Sequence, residues 1–184
     1  MLVKFTVIAG SASKDLGKRI ARRIKAPYVE AKTRVFPDGE SKITFGRIPK
    51  NSVVLVVQST YTPVDTNLLQ ALSIISQAKK MSSKIYAVMP YMGYARQDRQ
   101  FLSGEVVTMS IVARMLQAAG AKKIVVVDIH SKIALNHFKI PKENVSAIPE
   151  LAKYFKKMKL KNALVVSPDM GGALRAKKFA ALLN

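Results

Sequence analysis

An α/β fold built on a parallel sheet is predicted by three features of the sequence. Short runs rich in valine and isoleucine recur at residues 5–9, 53–57, 85–89, 124–127 and 163–166. Each is apolar on both faces, the pattern of a strand covered by helices on both sides. Helical periodicity fills the intervals between the runs, and Gly or Pro stands at many of the junctions.

The elements follow in chain order. Residues 1–10 are apolar, carry no basic leader and run into a Gly/Ser turn rather than a small-residue cleavage site, so they are assigned to a first strand. Residues 18–25 alternate charged and apolar groups at helical spacing. Residues 28–34 and 41–45 are expected as shorter strands joined through Phe36-Pro37-Asp38-Gly39-Glu40, in which Pro-Asp-Gly is a turn signal. Over 64–80, Leu68, Leu72 and Ile75 form one stripe behind Thr62-Pro63, which predicts a capping hydroxyl followed by a first-turn proline. Over 105–119, Met109, Val112, Leu116 and Ala119 repeat that pattern, and Gly120 is placed to end the helix. A boundary is expected near 141–149. Beyond it a helix at about 150–158, a strand and a further helix begin a second unit that is too short for a complete α/β domain.

A chain of 184 residues, 49% of them apolar, can bury a real core, and it contains no uninterrupted apolar run of membrane-spanning length. This predicts a soluble protein without a membrane partner, and cytoplasm is the default location. The absence of cysteine removes disulfides, thiolate nucleophiles and cysteine metal sites. The 31 Lys+Arg against 11 Asp+Glu give a formal charge of +20, which favours anionic partners such as phosphorylated metabolites, nucleic acid or acidic proteins. Charge does not choose among them, and a basic outer helix face is often only solvated.

Four clusters lie at or near the carboxyl ends of the expected strands, where open α/β sheets place ligands. Asp128-Ile129-His130 follows a strand directly, and its carboxylate and imidazole at i and i+2 can point the same way and hold a divalent cation. Alternatively, such a histidine is a structural hydrogen-bonder. Ser167-Pro168-Asp169-Met170-Gly171-Gly172 opens a helix. There the amides of Gly171 and Gly172 can approach a phosphate while Asp169 carries its Mg²⁺, or the segment is an ordinary tight turn. Residues 91–101 offer Arg96, Arg99, Gln97 and Gln100 with three aromatics, suited to an anionic ligand with a flat ring, to a salt-bridge cluster or to single-stranded nucleic acid. The fourth is the turn at 36–40.

The four segments in order, Phe-Pro-Asp-Gly-Glu at 36–40, Pro-Tyr-Met-Gly-Tyr-Ala-Arg-Gln-Asp-Arg at 90–99, Asp-Ile-His at 128–130 and Val-Ser-Pro-Asp-Met-Gly-Gly-Ala-Leu-Arg-Ala at 166–176, resemble the signature of ribose-phosphate diphosphokinases. The resemblance covers essentially the whole chain, and the Asp-Ile-His-Ser form followed by His137-Phe138 is similar to archaeal members. It implies a type I phosphoribosyltransferase-like domain at 1–145 and the start of a second domain of the same kind at 146–184. It implies transfer of the diphosphoryl group of ATP to the 1-hydroxyl of ribose 5-phosphate, with Mg²⁺, in a homo-oligomer that binds ATP where subunits meet. By matching position, Arg96, Gln97 and Asp98 would lie at the ATP site, and Phe36, Asp38 and Glu40 would reach the adenine and ribose from a neighbouring subunit. His130, as the catalytic residue, would help hold Mg²⁺ with Asp128, and Asp169 would hold a second ion near ribose 5-phosphate.

Two further elements of that family, a mobile Lys/Arg loop and a ribose-phosphate loop with paired aspartates, find no match within the 184 residues. The resemblance therefore implies an intact ATP half, a missing acceptor half, and absent or very low turnover by these residues alone. It also implies an uncovered apolar face on the helix after Gly172. Two other classes compete: a non-catalytic relative that assembles with complete subunits and regulates them, and a basic nucleic-acid binder, for which the net charge is the main support and which no recognisable motif favours, so nucleic acid is not the expected partner.

Overall fold

The computed structural model describes residues 4–161 and 163–183. Its contacts divide into a first unit that ends at Asn144 and a second that begins at Val145.

The first unit opens with β1 (Phe5–Ala9) and α1 (Lys14–Arg23), joined by a single 3-10 turn over Ser11–Ser13. Asp15 in the first turn of α1 and Arg22 and Arg23 in its last turn complement the helix dipole. β2 (Tyr28–Glu30) returns beside β1. Next, β3 (Lys32–Val35) and β4 (Ser41–Thr44) form a separate antiparallel hairpin. A single strand over 28–34 is thus corrected to two strands in two sheets. The break is at Ala31, which is fully buried and donates its N–H to the Ala9 carbonyl before the chain leaves the main sheet.

β5 (Val53–Val57), α2 (Val64–Lys79), β6 (Ile85–Met89), α3 (Thr108–Ala119), β7 (Ala121–Val127) and β8 (Lys142–Val145) complete the order. The sheet runs β2-β1-β5-β6-β7-β8, with β1–β2, β1–β5, β5–β6 and β6–β7 all parallel. Apolar periodicity sets which face each helix covers. Ile8, Val54, Val56, Ala87, Met89 and Ile124 pack with Leu68, Ile74, Ile75, Val112 and Leu116 of α2 and α3. On the other face Val7 and Val57 pack with Ala21 of α1.

Two helix starts differ from expectation for local reasons. Pro63, not Thr62, occupies the N-cap of α2, and no side chain caps it. α3 begins three residues later than predicted. The Glu105 carboxylate accepts from the N–H groups of Phe101 and Leu102 at 2.8 and 3.1 Å, which commits that residue to the preceding turn. Gly120, at a φ of 126°, ends α3 as predicted.

The second unit contains α4 (Ile148–Lys157) and α5 (Ala173–Leu183), clasped by the edge-to-face pair Phe155–Phe179 at 5.6 Å. The strand expected at 163–166 is not formed: the described residues 163–167 are irregular. A strand requires a hydrogen-bonded neighbour, and no other strand lies among the described residues 146–183 to supply one.

Candidate functional site

Because β1, β5, β6 and β7 of the main sheet are parallel, the segments that follow them leave from one edge of the sheet. Sequence order reverses between β1 and β5, the position at which doubly wound sheets open a ligand crevice. Here that crevice is filled by side chains. Gln58 is fully buried; its Oε1 accepts from the Ala12 N–H at 3.2 Å and its Nε2 donates to Asn67 Oδ1 at 3.2 Å. Asn67 Nδ2 donates to the Tyr61 carbonyl at 2.7 Å, and Ser13 Oγ accepts from the Ser59 N–H at 2.8 Å. Gln70 joins Ser11 to Ser41, so the same network anchors the β3–β4 hairpin. Exposed residues singled out from the sequence lie farther along the same edge, on the segments after β6 and β7.

The segment after β6 is held rigidly. Thr60 Oγ1 accepts from the Gly93 N–H at 2.7 Å and donates to the Tyr91 carbonyl at 2.9 Å. Tyr94 sits in the left-handed region at a φ of 62°, a strained conformation for an aromatic residue, and its hydroxyl donates to Asp65. That hydrogen bond holds the Tyr94 phenol above its ordinary pKa, with burial and the Asp65 charge adding to the shift. The contact is thus complete below the ordinary tyrosine range and is lost only as pH rises past the raised value. Arg96 and Gln97 follow in this clasped loop and are exposed.

Asp98 is placed differently. It is 4% exposed, with Oδ1 at 4.0 Å from Arg99 Nε and Oδ2 buried without a partner. Its carbonyl oxygen lies 2.7 Å from His137 Nε2. Since a carbonyl only accepts, His137 carries its proton on Nε2. This bond ties the Arg96 loop to the 3-10 segment Lys132–His137 that follows β7.

Asp128 leaves β7 half-buried at a φ of 41°, Ile129 donates its N–H to Asn144 Oδ1 at 3.0 Å, and His130 is exposed. β6 and β7 are neighbours, so Arg96 and the Asp128–His130 pair belong to adjacent loops of one edge. Among the described residues, no group of three or more His, Asp or Glu side chains is arranged to hold a metal ion. A closed protein cage for a cation is therefore not built here. Asp128 is not in extended chain, so the expected common direction of the two side chains does not follow from its backbone. A carboxylate and an imidazole on one loop are still donors compatible with Mg²⁺, which keeps most of its shell as water and ligand phosphate oxygens.

The hairpin tip is a well-defined turn. Phe36 N–H donates to the Glu40 carbonyl at 2.8 Å, Gly39 N–H donates to the Phe36 carbonyl at 2.9 Å, and Asp38 Oδ1 accepts from the Glu40 N–H at 3.1 Å. Gly39 has a φ of 91°, which a side chain would strain. Asp38 and Glu40 are exposed, and Phe36 lies under the Arg34 guanidinium at 5.3 Å. No hydrogen bond, ion pair or ring contact among the described residues joins positions 36–40 to the Arg96 loop.

In the second unit, Asp169 Oδ1 accepts from the Gly172 N–H at 2.7 Å, and Ser167 Oγ donates to the Asp169 carbonyl at 2.7 Å. The Gly172 amide is thus already engaged and Asp169 caps the turn into α5, while Gly171 stays exposed. Sequence reasoning missed Gln58, Asn67, Gln70 and Thr60, and it gave His137 no contact with the Arg96 loop. The signal of the first four was polarity at buried positions: Asn67 and Gln70 lie on the same face of α2 as Leu68, Ala71 and Ile74.

The model of the N-terminal domain of ribose phosphate pyrophosphokinase matches residues 5–120. The ribose-phosphate pyrophosphokinase of Clostridium perfringens is 38% identical over 182 residues, covering 97% of this chain and 57% of that protein. That of Methanobrevibacter smithii is 39% identical over 180 residues, covering 97% and 60%. The crystal structure of phosphoribosylpyrophosphate synthetase from Mycobacterium smegmatis superposes with a TM-score of 0.87 at 30% identity, covering 98% of this chain and 61% of that one. The chain spans less than two thirds of the length of these relatives. With the α/β sheet and the loop motifs in place, the chain belongs to the ribose-phosphate pyrophosphokinase family, of which it represents the N-terminal portion.

Proposed function

We propose that the first unit is the ATP-binding part of a ribose-phosphate pyrophosphokinase. The observation that carries this reading is the clasped loop after β6, which presents Arg96 and Gln97 to solvent beside the exposed His130 on the adjacent strand's loop. A fixed guanidinium can grip phosphate oxygens and an amide can read the edge of a base. Asp98 acts as a positioning residue, because its carboxylate is buried and its carbonyl ties the loop to His137.

Asp128 and His130 are the groups that would hold Mg²⁺, directly or through water, and a bound ion would neutralise charge on the polyphosphate. In the reaction, the 1-hydroxyl oxygen of ribose 5-phosphate bonds to the β-phosphorus of ATP. The bond from that phosphorus to the bridging oxygen breaks, AMP leaves, and the hydroxyl proton passes to solvent. Such a transfer depends on orientation and charge stabilisation more than on covalent help from protein groups. In the second unit, Asp169 and the exposed Gly171 are proposed for the acceptor side.

The hairpin serves a neighbouring copy in this reading. Phe36, Asp38 and Glu40 make no hydrogen bond, ion pair or ring contact with the Arg96 loop of their own chain among the described residues, which leaves them available to the nucleotide site of another subunit. The test is a mixing experiment followed by ATP titration. Phe36→Ala and Arg96→Ala chains each bind ATP weakly, and co-refolded chains regain a fraction of tight sites, since one contributes an intact hairpin and the other an intact loop. Mixed chains that bind no better than either variant alone would overturn the shared site.

A further inference from the structure

The sheet sorts charge between its two edges. Lys4, Lys25, Lys50, Lys84, Lys122 and Lys142 stand just before or within the first residues of β1, β2, β5, β6, β7 and β8. All six are exposed. Arg22 and Arg23 at the end of α1 and Lys79 and Lys80 at the end of α2 reach the same edge, because each helix runs back toward the start of the next strand.

Acidic groups are placed elsewhere. Asp15 and Asp65 lie in the first turns of α1 and α2, and Glu30 ends β2. Asp98, Glu105 and Asp128 lie in the segments that leave β6 and β7, and Asp38 and Glu40 lie on the hairpin. Among the described residues of the first unit, only Glu143 stands at the amino-terminal edge, where Lys123 Nζ meets it at 2.6 Å. No ion pair with a described residue engages the six lysines, and of them only Lys142 has its ammonium in a hydrogen bond among the described residues, to the Phe138 carbonyl at 3.0 Å.

Helix dipoles account for part of this. Carboxyl-terminal helix ends attract cations, which explains Arg22, Arg23, Lys79 and Lys80. It does not explain the lysines that precede strands. Strands in a sheet lie about 4.8 Å apart, so six of them set these cations along an arc of about 24 Å. A free phosphate needs donors that converge, whereas this array is extended and matches a linear polyanion. Exposed aromatic side chains are absent from the edge among the described residues, which argues against base stacking and against insertion into a lipid interface.

We propose that the amino-terminal edge of the sheet is a second binding surface, separate from the nucleotide loops, that takes the phosphate backbone of nucleic acid without reading its sequence. Lys50, Lys84 and Lys122 on three adjacent strands form its centre.

The test is fluorescence anisotropy of a labelled random-sequence DNA duplex with the 184-residue chain over a range of salt concentrations. The triple variant Lys50→Gln, Lys84→Gln, Lys122→Gln is compared with Lys42→Gln, Arg114→Gln, Lys132→Gln, which removes the same charge from exposed positions elsewhere. Each lost phosphate contact lowers the slope of log affinity against log salt by about 0.9, so the first variant loses about 2.7 and the control keeps nearly all of its slope. Saturating ATP with Mg²⁺ leaves duplex affinity unchanged. Equal losses in both variants would mean bulk charge rather than a surface, competition by ATP would place the duplex in the nucleotide loops, and binding only to phosphatidylserine vesicles would make the partner a membrane. Any of these overturns the proposal, and none bears on ATP binding itself.

Discussion

Phe138→Ala is expected to destabilise the first unit by about 4 kcal/mol and to lower its thermal midpoint by about 10 °C, since emptying an aromatic site in a close-packed core forfeits both burial and contacts. Phe138 is 1% exposed and belongs to the main core with Val112 and Leu116 of α3. It directly follows His137, whose ring holds the Asp98 carbonyl, and its own carbonyl accepts from Lys142 Nζ at 3.0 Å. Loss of the ring thus loosens the support of the Arg96 loop as well as the core. Differential scanning calorimetry of the two chains measures the first effect. Phe138→Leu, which retains most of the apolar volume, is expected to recover more than half of the loss.

Gly10→Ala is expected to cost about 3 kcal/mol although it adds a single methyl group. A Cβ at this position would stand 2.2 Å from Gln58 Oε1 and 3.0 Å from Ile74 Cδ1. The Gln58 carboxamide is fully buried between the Ala12 N–H and Asn67, so moving it strands buried polar groups on both sides. Ser11 and Gln70 carry the disturbance to Ser41 at the base of the hairpin. Urea unfolding should give a lower midpoint with an unchanged slope. Gly46→Ala is the control, because a methyl group there meets nothing within 4 Å.

These two sites mark where the sequence was hard to read. β1, β5 and β6 were legible because they are short, largely apolar runs rich in valine and isoleucine, interrupted in β1 only by the buried Thr6. β7 was read as 124–127, short of its real start at Ala121, because Lys122 and Lys123 at the sheet edge break the apolar signal. Arg96, Gln97 and His130 were expected in segments that follow strand ends, and the fold does put their loops on adjacent strands with all three exposed. The resemblance placed Asp98 at the ATP site beside Arg96 and Gln97, and its side chain is buried. Neighbours in sequence share a motif but not an environment, and the backbone of Asp98 is held by a partner thirty-nine residues away, His137. The Gln58–Asn67–Gln70 network was invisible for the same reason: its bonds cross from the turn after β1 to α2 and the hairpin. In the second unit, residues 163–166 had the composition of a strand but lacked a partner to pair with.

The measurement that tests the account most directly is a calorimetric titration of ATP with Mg²⁺ into the 184-residue chain and into Arg96→Ala. Arg96 is exposed on the clasped loop, so its replacement should leave the fold intact while removing a charge-assisted grip on phosphate. The predicted result is saturable binding that weakens about 30-fold in the variant, with unchanged thermal midpoints in the absence of nucleotide. Saturable binding of equal strength in both chains, or no binding by a folded wild-type chain, would contradict the assignment of the Arg96 loop as the nucleotide site.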